Sequence, residues 1–249
     1  MSLRLPDDKL LEAPQKVHDM AKKKKTSLFD LQSLLGTLNF ACRVIVPGRA
    51  FLRRLFDLVK GVSNKIHWIR LNKAARLDLA AWALFLDAFN GRVLCLPATW
   101  TTSSAIQLHS DASGKAYAAV LGSLWIQGSF PPEWKDTNIA IKELLPIVLA
   151  VRLWSTRWAN QRILFLCDNE AIVSVINKQS SKEPSIMSLV RTLVSVTLCN
   201  NILFAAKHIP GKLNIIPDLL SRYQVAKALK VAPYLDKEPT PFPTEWLPW

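Results

Sequence analysis

Residues 163–167 read I-L-F-L-C, an apolar run without a break that ends on Asp168. A strand with one wet face alternates apolar and polar residues. A continuous run is what a central strand covered on both faces requires. A chain containing such a strand needs a sheet with both faces covered. Residues 106–114, I-Q-L-H-S-D-A-S-G, supply a second strand of the alternating kind, ending on Asp111 and the turn residues Ala112, Ser113 and Gly114. Two expected core strands therefore each end on a carboxylate.

The segments between and after these strands complete the pattern. Residues 116–121 and 124–127 flank Gly122-Ser123 and predict a hairpin. A helix is expected from about 138 to 157, followed after the second Asp strand by helices over 171–178 and 186–197 and a last strand over 202–206. His208 to Gly211 is a turn, and Pro217 stands at an expected first helical position just ahead of Asp218. The proline-rich stretch 226–249 is expected as a tail or linker.

The first hundred residues differ in character. Pro6 ahead of Asp7 and Asp8 marks a helix start rather than a metal site. Leu28, Leu31, Leu34, Leu35 and Leu38 recur at helical spacing, Val46-Pro47-Gly48 breaks the pattern, and Arg49, Arg53 and Arg54 follow between apolar residues. A further helix over 73–90 has an expected stripe of Leu77, Ala81, Leu84 and Phe85, with Gly91 closing it. The expected organisation is a helical basic segment over 1–100, an α/β domain over 101–225 and the tail over 226–249.

Charge and cysteine usage narrow the partners. The 249 residues carry a net charge of +13, of which residues 1–100 hold a surplus of 9. Such an excess favours a polyanion, nucleic acid before membrane. Lys22, Lys23, Lys24 and Lys25 with Arg49, Arg53 and Arg54 are the candidate nucleic-acid contacts, although a lysine run also reads as a solvated loop. Cys42, Cys95, Cys167 and Cys199 are widely spaced and read as reduced thiols. With no signal-peptide pattern or bilayer-length apolar stretch, an intracellular protein, cytoplasmic or nuclear, is expected, with no membrane partner.

Glu143 joins the two aspartates as a candidate, because Ile139 and Ile147 lie four residues to either side and put it on an apolar stripe. A buried glutamate costs several kcal/mol unless a cation meets it. Each acidic residue alone has an ordinary reading. Asp111 suits a turn, Asp168 a helix cap, Asp218 a helix N-terminus, and Glu143 a side chain that reaches out to water; His208 suits a turn without a task. Together, Asp111, Glu143, Asp168 and Asp218 suit two divalent ions about 3.5–4 Å apart, which activate water and neutralise a leaving oxygen in phosphodiester hydrolysis. Hard Mg²⁺ wants such oxygen ligands.

The motifs D-A-S-G, A-I-K-E-L, L-C-D-N-E-A and H-I-P-G-K-L-N-I-I-P-D-L-L-S-R, in that order, resemble the RNase H domain of reverse transcriptases. Residues 31–55 resemble the thumb-like segment after the polymerase palm in DIRS-like, tyrosine-recombinase retrotransposons. The resemblance implies an RNase H-like five-stranded mixed sheet with helices on both faces, preceded by a small, mostly helical basic unit. It implies a ribonuclease acting on RNA:DNA hybrids with two Mg²⁺ ions, or Mn²⁺ in their place. Asp111, Glu143, Asp168 and Asp218 would be the metal ligands, and His208 would aid product release or proton transfer. No palm or aromatic-x-Asp-Asp motif is present, so DNA synthesis is not expected; the palm would come from a longer or separate chain. Pro217 stands where such elements carry a small residue. The alternatives are a catalytically idle nucleic-acid-binding or partner-binding module, and a related DNA integrase or exonuclease, which the 208–222 ending does not fit.

Overall fold

The computed structural model describes residues 2–88, 92–94 and 107–248. The chain divides into two compact units, Met1–Cys95 and Leu96–Trp249.

In the first unit, β1 (Ser2–Arg4) leads through Pro6 into α1 (Asp7–Ala21). Asp7 and Asp8 occupy its first turn and Asp7 pairs with Arg4, so the acidic pair serves the helix start as expected. Then come β2 (Lys25–Ser27), α2 (Leu28–Ala41), a 3-10 turn at Val46–Phe51 and α3 (Arg53–Val59). After these are β3 (Trp68–Arg70), α4 (Lys73–Ala88) and β4 (Arg92–Leu94). The short strands pair antiparallel, β1 with β4 and β2 with β3. Ser27 caps α2 by accepting the Asp30 N–H at 3.1 Å, and all five leucines of the expected α2 stripe are buried.

On α4 the structure differs from expectation. Ala75, Leu79, Trp82, Phe85 and Leu86 face inward, while Leu77 and Leu84 are 57% and 64% exposed. The helix carries two overlapping apolar stripes, and the one with the large rings wins because it buries more area. Phe85 meets Phe51 edge-on at 5.2 Å and Trp82 at 6.4 Å. Gly91 and most of the 91–105 connector lie outside the described residues, as does Ile106.

The second unit is built on β5 (Leu108–Ala112), β6 (Ala116–Leu121) and β7 (Leu124–Ser129), then α5 (Ile139–Trp154), β8 (Arg162–Cys167) and α6 (Glu170–Lys178). It ends with α7 (Pro184–Cys199), β9 (Leu203–His208), α8 (Ile215–Ser221) and α9 (Val225–Val231). The five strands form one sheet in the order β7-β6-β5-β8-β9. β5, β6 and β7 pair antiparallel in turn, and β8 is parallel to both β5 and β9. This is the RNase H-like arrangement of a five-stranded mixed sheet. Gly122 opens the two-residue β6–β7 loop at φ 58°, with Ser123 outside the positive-φ region, the combination a type II′ turn uses.

Every residue of β6 is buried, so helices cover both faces. Ala118 and Val120 face Leu220 of α8 and Ala228 of α9. Alternate residues point the other way, towards the side on which α5 packs on β5 and β6. The stretch expected as a tail or linker contributes Ala228, Ala232 and Leu235 to this core. Beyond α9 it runs beside β7. The Trp125 indole donates to the Asp236 carbonyl at 2.8 Å, Thr240 N–H donates to the Trp125 carbonyl at 2.7 Å, and the Arg152 guanidinium sits 4.1 Å from the Trp246 ring. Once the Trp125 side chain needs a lid, proline-rich composition does not prevent packing. At the other edge the Asn177 amide makes a two-way pair with the main chain of Ala206, at 2.8 and 2.9 Å, blunting β9 as a template for further strands. No helix among the described residues is long and apolar enough to cross a membrane.

Gly128 faces Tyr117 across the β6–β7 ladder, and an added Cβ there would lie 2.2 Å from the Tyr117 hydroxyl oxygen. Because Tyr117 is 1% exposed, its ring cannot swing away. Gly128→Ala should cost about 1–3 kcal/mol, read as a lower urea midpoint at unchanged m value.

Candidate functional site

Asp111 lies in β5, where it pairs with Ala118, and it is buried. The Ser221 hydroxyl donates to its Oδ2. Ser221 belongs to α8, and two further bonds hold that helix against the same strand end: Asn214 Nδ2 donates to the Ser110 carbonyl and Ser113 Oγ to the Ser221 carbonyl, both at 2.8 Å. Gln127 of β7 adds a bond to the Leu220 carbonyl. Seven-residue α8 carries Pro217 as its third residue rather than its first. The first four N–H groups of a helix have no intrahelical partner, so proline there breaks no bond. Asp218 follows at the first full hydrogen bond, its N–H donating to the Asn214 carbonyl at 3.2 Å, while its carboxylate accepts from Arg222 Nε at 2.7 Å.

The helix ends in a Schellman motif. Gln224 N–H donates to the Leu219 carbonyl and Tyr223 N–H to that of Leu220, with Tyr223 at φ 59°. A tyrosine is strained there, but its hydroxyl is held by Ser129 of β7.

Glu143 sits one turn into α5, whose N-terminus is capped by Asn138 accepting the Ala140 N–H at 2.9 Å. It is 6% exposed, and its Oε2 has no hydrogen-bond partner. Burial, then the charges of Asp111 and Asp168, push its carboxyl up to about 9, against a single hydrogen bond from the Ala112 backbone. The reading in which this glutamate reaches out to water is thereby set aside. The buried Lys142 beside it is turned away, its ammonium held by the carbonyls of Lys135 at 3.1 Å and Gly114 at 3.3 Å and placed 5.5 Å from the Phe130 ring centre. It anchors the turn after Asp111, a task that lysine within an apolar helix does not announce in the sequence.

Asp168 follows the end of β8. The capping role open to it falls to Asn169, which accepts the N–H groups of Ala171 and Ile172 at 3.0 and 3.2 Å. An oxygen from each of Glu143 and Asp168 and the Cys167 sulfur all lie within 4.8 Å of one another. Burial raises the Asp111 carboxyl above its ordinary value, opposed by the Ser221 hydrogen bond and reinforced by the charges of Asp168 and Asp218. The neighbouring negative charges thus bear on both Asp111 and Glu143. His208 is opposite Cys167 in the β8–β9 ladder, with Nε2 3.2 Å from the Asp168 carbonyl and Nδ1 4.0 Å from Glu170. Gly211 leaves the room Asp168 needs, since a Cβ there would come 3.3 Å from its Oδ2.

Ser221, Lys142, Gln127 and Gly211 were not legible as parts of this site. Each acts through a contact between residues far apart in the chain, and the sequence signals none of these contacts locally. Of the cations in the first unit, Lys22, Lys23, Lys24, Lys25, Arg49 and Arg53 are exposed. Arg54 differs: it is half-buried, donates to the Ala74 carbonyl at 3.3 Å and pairs at 3.5 Å with Asp78, which is itself buried. Arg54 thus also serves the packing of its own unit.

No family model matches the chain, and no curated protein matches it. Among solved structures it is similar to the N-terminal RNase H domain of a Mycobacterium tuberculosis protein, solved as a maltose-binding-protein fusion, at 15% identity and TM-score 0.41 over 52% of this chain and 99% of that one. RNase H1 of Halobacterium salinarum aligns at 14% identity and TM-score 0.35, over 51% and 96%. The foamy viral protease-reverse transcriptase in complex with RNA/DNA hybrid aligns at 16% identity and TM-score 0.32, over 93% of this chain and 30% of that one.

The raised carboxyl of Glu143 fixes a sign. A folded-state value near 9 against an ordinary 4.5 means that its protonated form favours the fold; that contribution is complete below about pH 4.5 and is lost as pH rises through 9. Glu143→Gln should therefore stabilise the metal-free protein increasingly from pH 5 to pH 9 and leave it little changed at pH 4, measured by urea denaturation across that series.

Proposed function

We propose that the chain is a Mg²⁺-dependent endoribonuclease that cuts the RNA strand of RNA:DNA hybrids and leaves a 3′ hydroxyl. The observation that carries the reading is the electrostatic coupling of Asp111 with Glu143, Asp168 and Asp218, with Glu143 buried and one of its oxygens unpartnered. An acidic set with an orphaned buried oxygen fits hard divalent cations, and all four donors are carboxylates, the ligand class Mg²⁺ prefers. Two ions bound there, Mg²⁺ or Mn²⁺, would supply an activated water and neutralise the leaving oxygen. Asp111, Glu143, Asp168 and Asp218 are the residues that would hold them. Ser221 keeps one Asp111 oxygen oriented and leaves the other for a ligand. His208, with one ring nitrogen on the Asp168 carbonyl, would carry a proton or help product depart. Hybrid selection would come from 2′-hydroxyl and phosphate contacts rather than base reading.

The exposed cations of the first unit would add sequence-independent grip. The finer reading is a fragment of a DIRS-like retrotransposon polyprotein, with a thumb- or connection-like segment over 1–100, the nuclease over 101–225, and a polymerase palm on a longer or separate chain. The motif order from Asp111 to Arg222 supports it.

A labelled RNA:DNA hybrid should be cut with Mg²⁺ and left intact with EDTA. Asp111→Asn, Glu143→Gln and Asp168→Asn should each slow cutting by about 100-fold or more, beyond the range of changes outside the ligand shell. A hybrid bound but never cut would instead make the chain an idle binding module. Neutralising Lys22, Lys23, Lys24, Lys25, Arg49 and Arg53 should flatten the plot of log affinity against log salt by about 0.9 for each phosphate that the protein no longer neutralises.

A further inference from the structure

Hard-ion chemistry leaves one donor of the acidic cluster unused. Cys167 is fully buried, yet its sulfur lies within 4.8 Å of oxygens from both Glu143 and Asp168, and among the described residues this is the set of three such donors that converges. A thiol in this place is unexpected for a site meant for magnesium alone, because sulfur is a poor ligand for hard cations and a strong one for zinc and its relatives. Two observations make the three residues more than a chance grouping. Glu143 is 6% exposed and its Oε2 has no hydrogen-bond partner, so an unmet acceptor already lies in the cluster. The Cys167 sulfur also accepts the Asn169 N–H at 3.4 Å, the kind of outer bond that orients a metal ligand.

We propose that Cys167, Glu143 and Asp168 form a binding site for a thiophilic divalent ion, zinc being the one available in cells. Tetrahedral zinc holds sulfur at about 2.3 Å and oxygen at about 2.0 Å, which separates ligand atoms by roughly 3.5 Å. The three donor atoms, now within 4.8 Å of one another, would close on the ion by rotation of the Glu143 and Asp168 side chains. The thiol releases its proton to solvent as the ion binds. The fourth position is left to water. Because zinc would take two carboxylates that the nuclease reading assigns to magnesium, the two ions would compete, and zinc would act as a soft-metal off-switch. The site shares residues with that reading, but its existence does not depend on any nucleic acid being cut.

The test uses the full chain carrying Cys95→Ser and Cys199→Ser, to remove two other thiols, with Co²⁺ as the optical probe. Binding of one equivalent should give a thiolate-to-cobalt charge-transfer band and the intense visible bands of a tetrahedral ion, both removed by Zn²⁺. Cys167→Ser should abolish the charge-transfer band, and Asp168→Asn should weaken binding at least 10-fold. X-ray absorption of the zinc complex of the same parent protein, which does not depend on Cys167→Ser folding, should show one sulfur at about 2.3 Å among oxygen neighbours. A zinc shell without sulfur, or a band that survives Cys167→Ser, overturns the proposal. Mg²⁺-dependent cutting without the sulfur signature would sink the zinc site and spare the nuclease; the sulfur signature without cutting would do the reverse.

Discussion

Like charges gathered at one end of a buried strand pair are the constraint to which the second unit answers. Asp111 and Asp168 end neighbouring parallel strands, and the chain then places Glu143 beneath them on a buried helix face. The charge of Asp168 raises the cost of ionising Asp111, and the charges of both raise that of Glu143. Without a counter-cation this arrangement opposes folding. The surrounding bonds offset part of the cost: Ser221 donates to Asp111, the Ala112 N–H to Glu143, and Arg222 to Asp218. Lys142, the nearest buried cation in sequence, is spent on carbonyls instead. Protein groups leave Glu143 Oε2 unmet.

Helix α8 shows how tertiary contacts carry a segment that local propensity would not. Seven residues with a proline among them are too short to persist as an isolated helix. Bonds from Asn214, Ser113, Gln127 and Ser221 tie it to β5 and β7, and the ring of Tyr223 secures its strained C-terminal turn. Leu220 and the α9 residues then cover β6. Packing and site geometry are thus one construction here: the bonds that stabilise α8 also fix where Asp218 stands relative to Asp111.

Much of this was visible in the linear chain. The unbroken run ending on Asp168 and the alternating run ending on Asp111 specified two strands, and the two pair parallel; the alternation misled as to burial, since the second is the middle strand of the sheet and Ser110, Asp111 and Ala112 are all buried. The Gly122-Ser123 hairpin, the helix around Glu143 and the leucine stripe of α2 follow from residue periods that local burial respects. Two readings failed for one reason. The α4 stripe and the loose proline-rich tail each assumed that a segment's own pattern decides its surroundings. On α4 two stripes competed, and the larger rings took the interior. Trp125 needed cover, and the proline-rich stretch supplies it.

By itself the sequence determined the period of each strand and helix, the carboxylate at each strand end, and the excess of positive charge in the first hundred residues. These are properties of neighbouring residues, and short-range sterics and burial read them directly. Only the tertiary structure decided that Asp168 faces Glu143, that Ser221 reaches Asp111, and that the Cys167 sulfur joins the acidic cluster. Those pairings join residues up to 110 positions apart. Chain closure over such distances depends on how the whole sheet twists and packs, and no local pattern encodes it.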